Sequence, residues 1–228
     1  MKLRRLDSHK GKVQWVIALV MAAAILVLGM ESAHAIRLGP VEVSPSVSYS
    51  GIYDSNIFVG SDDEEDDYIS LIEASIDLKM EILARHQLQL GYKAQGYAYA
   101  SDDNDDENRV DQEASFLAGF YSPMGLEAKV YDVYTRAYIP RQDPEYPQKE
   151  LYNRNVFTPE VAYTFADVWK AQIQYENTHY RFDRDEREFA DYDKHVFGAT
   201  LFYRFRPLTS ALIEYNYGIV DYPHNTES

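Results

Sequence analysis

The sequence contains no cysteine. That absence excludes disulfide scaffolds, thiolate-ligated zinc or iron–sulfur sites, thiol nucleophiles and cysteine-linked lipid anchors. Basic residues are also scarce, with 22 Lys and Arg against 37 Asp and Glu and a formal net charge of -15. Because binding to phosphates requires clustered Lys and Arg, this balance argues against a nucleic-acid partner.

Tyrosine, by contrast, is abundant. The 228 residues include 20 Tyr, and aromatic residues make up 14% of the chain. Tyrosine has an apolar ring and a polar hydroxyl, so it suits the boundary between apolar and wet surroundings. The length allows one large domain or two small ones. The composition therefore indicates a protein that works at an interface.

The N-terminus has the organisation of a secretory signal peptide. A basic stretch precedes an almost uncharged apolar run from Val13 to Met30, and Ala33-His34-Ala35 follows with the small residues of a cleavage site. We predict a signal peptide over residues 1–35 and a mature chain, 36–228, that leaves the cytoplasm. The alternative is an uncleaved membrane anchor, although the apolar run is at the short end for a spanning helix.

The rest of the sequence alternates apolar and polar residues with a period of two. In the segment 68–82, for example, Ile72, Ala74 and Ile76 alternate with polar residues, which is the pattern of a β-strand with two different faces. The fifth segment is the least regular, because Asp132 is in phase with apolar residues and Val133 is not; this predicts a bulge or a phase slip. About nine strands are predicted, at 41–53, 68–82, 86–100, 109–121, 126–138, 156–165, 168–180, 192–205 and 209–220.

The connections alternate between short and long. Short links are expected at 83–85, 122–125, 166–167 and 206–208, and long acidic or proline-containing links at 54–67, 101–108, 139–155 and 181–191. This asymmetry is typical of transmembrane β-barrels. The predicted strands are also longer than the five or six residues common in soluble sheets, and long enough to span a bilayer. The predicted fold is an all-β, antiparallel up-and-down transmembrane β-barrel.

The two predicted faces differ in a way that fits this fold. One face is strongly polar, while the other is apolar and has aromatic residues near the strand ends, which suits a wet lumen inside and lipid outside. The alternative is an inverted, soluble barrel with the apolar face inside. The candidates for the two aromatic girdles are Tyr53, Tyr68, Tyr121, Trp169, Tyr180 and Phe205.

The number of predicted strands is odd, whereas bacterial single-chain barrels have an even number. The sequence also ends at Ser228 without a terminal aromatic strand. We therefore expect the N-terminal part of a longer barrel, with the C-terminal part missing. The alternative is a closed eight-stranded barrel, in which the fifth or the ninth predicted strand is false.

One stretch resembles a known family. The segment from Tyr49 to Phe58 has a tyrosine-aspartate-x-asparagine-aromatic core at Tyr53 to Phe58, and an acidic loop and Tyr68-Ile69-Ser70-Leu71-Ile72 follow it. It is similar to the opening of a family of porin-like outer-membrane β-barrels that are often encoded with exopolysaccharide or capsule biosynthesis genes. The resemblance implies passage or export of hydrophilic material such as exopolysaccharide. Family members usually run much longer than this chain.

The polar face supplies the candidate functional residues. A lumen of mixed charges and amides suits hydrophilic solutes better than a single ion. The third long loop contains Arg141, Tyr146 and Lys149, which are candidates for an inward constriction or for a rigid external loop. The lumen-lining candidates are Glu73, Asp77, Lys79, Lys93, Gln95, Glu113, Lys170, Gln174 and Arg204.

No motif predicts a cofactor or a metal site. Phosphate loops, metal-binding histidine pairs and nucleophile elbows are absent from the sequence, so we do not expect an enzyme. The acidic runs 62–67 and 102–107 are predicted to be solvated, the alternative being Ca²⁺ or Mg²⁺ binding through their carboxylates. An outer-membrane hydrolase would require His179 or His195 to converge with carboxylates.

The sequence thus predicts a porin-like protein in the outer membrane of a Gram-negative bacterium. The expected partners are outer-membrane lipid, lipopolysaccharide and, through the resemblance, polysaccharide. The competing hypothesis is a small closed barrel that acts as an anchor or a surface-interaction protein without an open pore, since about eight strands leave an interior filled by side chains.

Overall fold

The computed structural model of the protein describes residues 35–59, 64–141 and 149–224. The predicted signal peptide, apart from its last residue, and Tyr146 lie outside these residues. The described chain forms one ten-stranded sheet in which every strand pairs antiparallel with its sequence neighbours. The strands are β1 Ile36–Leu38, β2 Val41–Asp54, β3 Asp67–Ile82, β4 His86–Tyr99, β5 Arg109–Tyr121, β6 Leu126–Ile139, β7 Glu150–Phe165, β8 Trp169–Phe182, β9 Tyr192–Arg206 and β10 Thr209–Asp221.

Two short 3-10 helices complete the described structure, at Asp102–Glu107 between β4 and β5 and at Asp185–Ala190 between β8 and β9. No helix within the described ranges has the length and apolar character needed to cross a membrane. The predicted up-and-down all-β arrangement is confirmed.

The short connections lie at one end of the sheet, here called the turn end, and the long ones lie at the opposite loop end. At the turn end, Leu83 and Ala84 have φ of 54° and 53°, and Ala166 and Asp167 have φ of 49° and 58°. Two consecutive residues with positive φ form the tight hairpin turn whose twist matches that of the flanking strands. These turns therefore reverse the chain within very few residues.

The cross-strand registers assign every strand residue to one of two faces, because directly opposed residues point to the same side. One row of paired residues joins Lys93 to Ser75 and to Glu113; we call this side the polar face. A row on the other side joins Leu90 to Leu78 and to Phe116; we call that side the apolar face.

The polar face is the concave one. No second layer covers either side of this sheet in the described ranges, so differences in exposure between its faces arise from curvature. In β8, Ile173 on the apolar face is 63% exposed, whereas Thr178 and Phe182 on the polar face are buried. This difference favours a barrel with the polar face inside over the inverted alternative, in which apolar side chains line the interior.

The strands are staggered as they are in a barrel. One row on the apolar face crosses β4 at Leu90, four residues from the turn end at His86. The same row crosses β9 at His195, eleven residues from the turn end at Arg206. Such a cumulative shift tilts the strands, and strand tilt with stagger is what closure into a barrel requires.

The described sheet is nevertheless open. Only the beginning of β2, at Val41 to Val43, is covered by β1, and β10 has β9 as its single neighbour among the described strands. All residues of β10 are exposed. Because the sheet alternates in direction from β2 to β10, these two strands run the same way.

The structure contains an internal repeat of four strands. The residue numbers of β3 and β7 differ by a constant offset. Asp67 and Glu150 begin the two strands, and Ile82 and Phe165 end them. The same offset relates β4 to β8, the two 3-10 helices, and the starts of β5 and β9 and of β6 and β10. It also relates the positive-φ pairs of the two tight turns. We call β3–β6 the first unit and β7–β10 the second unit.

The structure corrects three sequence predictions about the strands. There are ten strands in the described chain rather than nine, since the short β1 precedes the predicted first strand. The sheet register runs without interruption along β6, and the irregularity lies at Thr209/Ser210 instead. Asp132 stays in phase because its carboxylate accepts a hydrogen bond from Asn155 Nδ2 on the neighbouring strand, at 2.8 Å.

The third correction concerns the long loop predicted at 139–155. Strand β7 begins at Glu150 rather than at 156, so the connection covers only residues 140–149. The residues 150–155 lack an apolar alternation, and their pairing with β6 and β8 keeps them in the sheet.

Two of the proposed girdle residues point to the other side. Tyr121 accepts a hydrogen bond from Gln87 Nε2 at 2.7 Å on the polar face. Tyr180 stacks there between Tyr152 and Tyr192. Tyr53, Tyr68, Trp169 and Phe205 lie on the apolar face.

Candidate lumen face and loop clasp

The structure places all nine lumen-lining candidates on the polar face. The registers of β3, β4 and β5 align the first six of them, and those of β7, β8 and β9 align the other three. The residues are Glu73, Asp77, Lys79, Lys93, Gln95, Glu113, Lys170, Gln174 and Arg204. One concave surface therefore holds them all.

Several of these candidates interact directly across strands. Gln95 Nε2 donates to Glu73 Oε2 at 2.7 Å, and Lys93 Nζ lies 3.7 Å from Glu113 Oε1. The Lys93 and Glu113 side chains are 38% and 40% exposed. Ion pairs with this exposure contribute little to stability, and both groups keep free hydrogen-bonding capacity.

Sequence reasoning missed a charged network near the turn end of the same face. Lys129 Nζ lies 3.1 Å from Glu160 and 3.9 Å from Glu127, and Glu127 in turn pairs with Lys170 at 2.9 Å. Because a phase slip was predicted in β6, Glu127 and Lys129 were not assigned to the polar face, although they alternate with Ala128 and Val130. Of the four residues, only Lys170 was predicted.

Aromatic residues occupy the polar face nearer the loop end. The rings of Tyr152 and Tyr180 stack at 4.9 Å, and those of Tyr180 and Tyr192 stack at 5.1 Å. In the first unit, the Arg109 guanidinium lies 3.8 Å from the centre of the Tyr97 ring. These contacts bring rings and hydroxyl groups beside the charged part of the face.

Arg204 occupies a marginal position among the candidates. It lies near the turn end of β9 and donates a hydrogen bond from Nη2 to the backbone oxygen of Asp167. Since Asp167 is a positive-φ residue of the β7–β8 turn, this bond ties β9 to that turn.

At the loop end, Arg141 joins three connections, and we call Phe58, Asp106, Glu107, Arg141 and Lys149 the loop clasp. The Arg141 guanidinium lies 2.6 Å from Glu107 Oε1, 2.5 Å from Asp106 Oδ2 and 5.3 Å from the centre of the Phe58 ring. The Glu107 side chain is only 2% exposed. The constriction candidate Arg141 is therefore fixed to the neighbouring loops.

Lys149 is held in a similar way. Its ammonium donates to the backbone oxygens of Asp106 and Asn108 and lies 5.3 Å from the centre of the Tyr138 ring. Burial lowers the pKa of Lys149 below its ordinary value, even though Glu107 and Asp106 act in the opposite direction. The ammonium is thus partly removed from solvent and donates instead to backbone oxygens, and these hydrogen bonds connect two loops.

Two buried acids at the start of β3 and β7 hold the 3-10 loops. The Asp67 carboxylate accepts hydrogen bonds from the backbone of Ala100 and Ser101 at 3.2 Å and from Asn104 Nδ2 at 3.0 Å. Its counterpart in the second unit, Glu150, lies 3.3 Å from Arg184 and 3.7 Å from Arg187.

The prediction that the acidic runs are solvated is therefore wrong for Asp67, Asn104 and Glu107. Asp67, at the end of the first run, and Glu107, at the end of the second, are buried and bind within the protein. Within 35–59, 64–141 and 149–224, no three His, Asp or Glu side chains are grouped to hold a metal ion.

The structure brings His179 close to a carboxylate. His179 Nδ1 lies 2.6 Å from Asp193 Oδ1, and Arg181 Nη2 donates to Asp193 Oδ2 at 2.7 Å. His195 instead contacts the Tyr175 hydroxyl at 2.6 Å. Both histidines lie on the apolar face of the sheet rather than on the concave one.

The clasp allows a direct test. Arg141→Met leaves the buried Glu107 carboxylate without its partner, and we expect it to lower the free energy of unfolding by about 2–3 kcal/mol. Urea unfolding and the rate of proteolysis in the loops measure this effect. The exposed Arg85 in a short turn provides the control Arg85→Met. Adding Glu107→Gln to Arg141→Met should recover part of the loss, and no recovery would contradict the pairing.

Chemically, the concave face offers donors, acceptors and charges of both signs beside aromatic rings. This surface suits contact with hydrated molecules. Comparisons with protein-family models and with curated proteins find no match for the chain. The resemblance of the segment Tyr49 to Phe58 to porin-like barrels stays a prediction.

Proposed function

We propose that this protein is a porin-like β-barrel of the outer membrane that passes hydrophilic solutes, with exopolysaccharide as the expected class. The observation that carries this proposal is the separation of the two faces. A concave side with charges and amides faces a convex side with exposed apolar residues such as Ile173, Phe197 and Tyr215. This is the arrangement of a wet lumen surrounded by lipid.

Strand length supports the membrane environment. The full-length strands have 13 to 16 residues, and a tilted transmembrane strand needs about 9–11. The additional residues are enough to carry the strands beyond the hydrocarbon on the loop side. The short turns and the longer loops then occupy opposite sides of the membrane.

Closure of the sheet is part of the proposal. Each unpaired backbone group in hydrocarbon costs several kcal/mol, so the edges of β2 and β10 require partners. Since β2 and β10 run in the same direction, pairing them directly would create a parallel seam. One further antiparallel strand beside the nine long strands β2 to β10 would close the barrel with an even number of long strands, as bacterial barrels have.

Ion conduction tests the proposed lumen. We expect the protein, taken from outer-membrane fractions into planar bilayers, to produce stepwise currents. Glu113→Lys should shift the reversal potential under a salt gradient toward the anion, because Glu113 lies on the polar face. The control Gln112→Lys introduces a lysine at the adjacent position, on the opposite face, and should leave the reversal potential near that of the parent protein.

Two results would contradict this proposal. Equal shifts from the two lysine variants would mean that the polar face does not line the conducting path. A protein that is folded in the outer membrane yet produces no current would favour the small closed barrel, which acts as an anchor or a surface-interaction protein.

A further inference from the structure

A group of polar residues interrupts the apolar face on β6–β9. We call it the outer polar patch and define it by Asp132, Arg136, Asn155, Asn177, Arg181 and Asp193. The registers assign all six to the apolar face. They therefore lie on the side that we propose to face lipid, and the inference below rests on that proposed function.

The patch consists of separate hydrogen-bonded groups. Asn155 Nδ2 donates to Asp132 Oδ1 at 2.8 Å, and Arg181 Nη2 donates to Asp193 Oδ2 at 2.7 Å. Arg136 Nη1 donates to Asn153 Oδ1 at 3.1 Å, beside the Tyr134 hydroxyl, which donates to the same oxygen at 2.8 Å. Both arginines also contact the connection between β8 and β9, where Arg136 Nη2 lies 3.8 Å from Asp183 Oδ1 and Arg181 Nε lies 3.8 Å from Asp191 Oδ2.

The internal repeat supplies a comparison within the same chain. Its constant offset matches Asn155 with Ile72 and Asn177 with Ala94. By the same offset, Arg181 corresponds to Ala98 and Asp193 to Val110. At these four positions the first unit thus has small or apolar residues where the second unit has patch residues; Asp132 and Arg136 belong to β6 of the first unit. The strand geometry alone does not require polar residues at these positions.

The depth of Asp132 argues against direct contact of its carboxylate with lipid. Asp132 is near the middle of β6, six residues from Leu126 and seven from Ile139. In its row on the apolar face, Asp132 pairs with Phe116 and Phe157. A carboxylate at this depth is costly in hydrocarbon, and ionisable groups in membrane segments almost always face protein or water.

We propose that the outer polar patch is the contact surface for a second copy of this chain in the membrane. Its charges are of both signs, with Asp132 and Asp193 beside Arg136 and Arg181. Within one copy Arg181 pairs with Asp193 at 2.7 Å and Arg136 lies 3.8 Å from Asp183, so a second copy would extend these pairs. A two-fold axis along the membrane normal and between β7 and β8 brings β9 of one copy opposite β6 of the other. Asp193 then meets Arg136 twice, as an interface formed by the same patch on both subunits requires.

Cysteine cross-linking in native outer membranes tests this dimer, because the chain has no cysteine of its own. In Asn155→Cys the two thiols lie close to the proposed axis, and a short bismaleimide should convert most of the protein to a covalent dimer. The matched control is Ile72→Cys, the equivalent position of the first unit, which should stay largely monomeric.

Charge reversal provides an independent test of the dimer. Arg136→Asp and Asp193→Arg should each reduce cross-linking of the Asn155→Cys protein several-fold, and the two changes together should restore much of it. Membrane fractionation identifies which proposal fails. Protein absent from the outer membrane would contradict the proposed function, whereas folded outer-membrane protein that cross-links equally at both positions, or at neither, would overturn only the dimer.

Discussion

Ile173→Arg is expected to reduce strongly the amount of folded protein in the outer membrane. Ile173 is 63% exposed on the apolar face of β8, four residues from the turn end at Trp169. If this face meets lipid, the guanidinium enters the hydrocarbon near its middle. Arginine there costs a β-barrel about 2–4 kcal/mol. Membrane fractionation and urea unfolding in lipid vesicles measure the two consequences.

The adjacent residue provides the matched control. Gln174 lies on the polar face opposite Glu160, so Gln174→Arg places the same charge in water beside a carboxylate. We expect its free energy of unfolding to stay within about 1 kcal/mol of the parent value. If both arginine variants insert and unfold alike, the apolar face does not contact lipid and the membrane proposal is wrong.

The alternating sequence was sufficient to predict the sheet and its two faces. Period two places successive side chains on opposite sides, so Glu73, Lys93 and Glu113 could be assigned to one face without their pairing partners. The registers bring those three to the polar face. The strand prediction was wrong where polar residues interrupt the alternation. This happens at Asp132 in β6 and at the start of β7, which begins at Glu150.

The contacts at the loop end could not be predicted from local pattern. Glu107 and Arg141 are far apart in the sequence and belong to different connections, and nothing in the acidic run 102–107 distinguishes Glu107 from its solvated neighbours. Its burial depends on Arg141 and Phe58 arriving from two other connections. Pairing between distant loops is a property of the folded sheet.

The internal repeat did leave a signal in the sequence. Tyr92 and Tyr97 recur at the constant offset as Tyr175 and Tyr180, and Asp102 recurs as Asp185. Most other matched positions differ in identity, since a strand residue is constrained mainly by its face. The structure shows the repeat through strand bounds and turn conformations, which are retained when side chains change.

Within this repeat, Asp67 and Glu150 have the same structural role but bind different partners. Both are buried at the start of their unit and hold the 3-10 loop of the next hairpin. Asp67 does so through backbone amides and Asn104, and Glu150 through Arg184 and Arg187. The retained element is therefore an anionic anchor, and its partners are interchangeable.

Asp67→Ala should accordingly have a large effect on the first unit. It leaves the backbone N–H of Ser101 and the amide of Asn104 without their acceptor, whereas the N–H of Ala100 keeps its hydrogen bond to the Tyr68 oxygen. Each unsatisfied buried donor costs about 1–3 kcal/mol, so we expect a loss of roughly 4 kcal/mol in the free energy of unfolding. Hydrogen exchange at residues 100–108 should accelerate together with this loss.

A variant of the neighbouring Asp66 distinguishes the loss of a buried hydrogen-bond acceptor from the loss of one negative charge. Asp66 is exposed and accepts a hydrogen bond from the Tyr53 hydroxyl at 2.9 Å, so Asp66→Ala removes the same charge at a cost of about 1 kcal/mol or less. Asp67→Asn retains one acceptor oxygen and should fall between the two alanine variants. Equal stability of Asp66→Ala and Asp67→Ala, with unchanged exchange in the loop, would show that the buried carboxylate does not hold the 3-10 segment. It would also remove the reason for comparing Asp67 with Glu150.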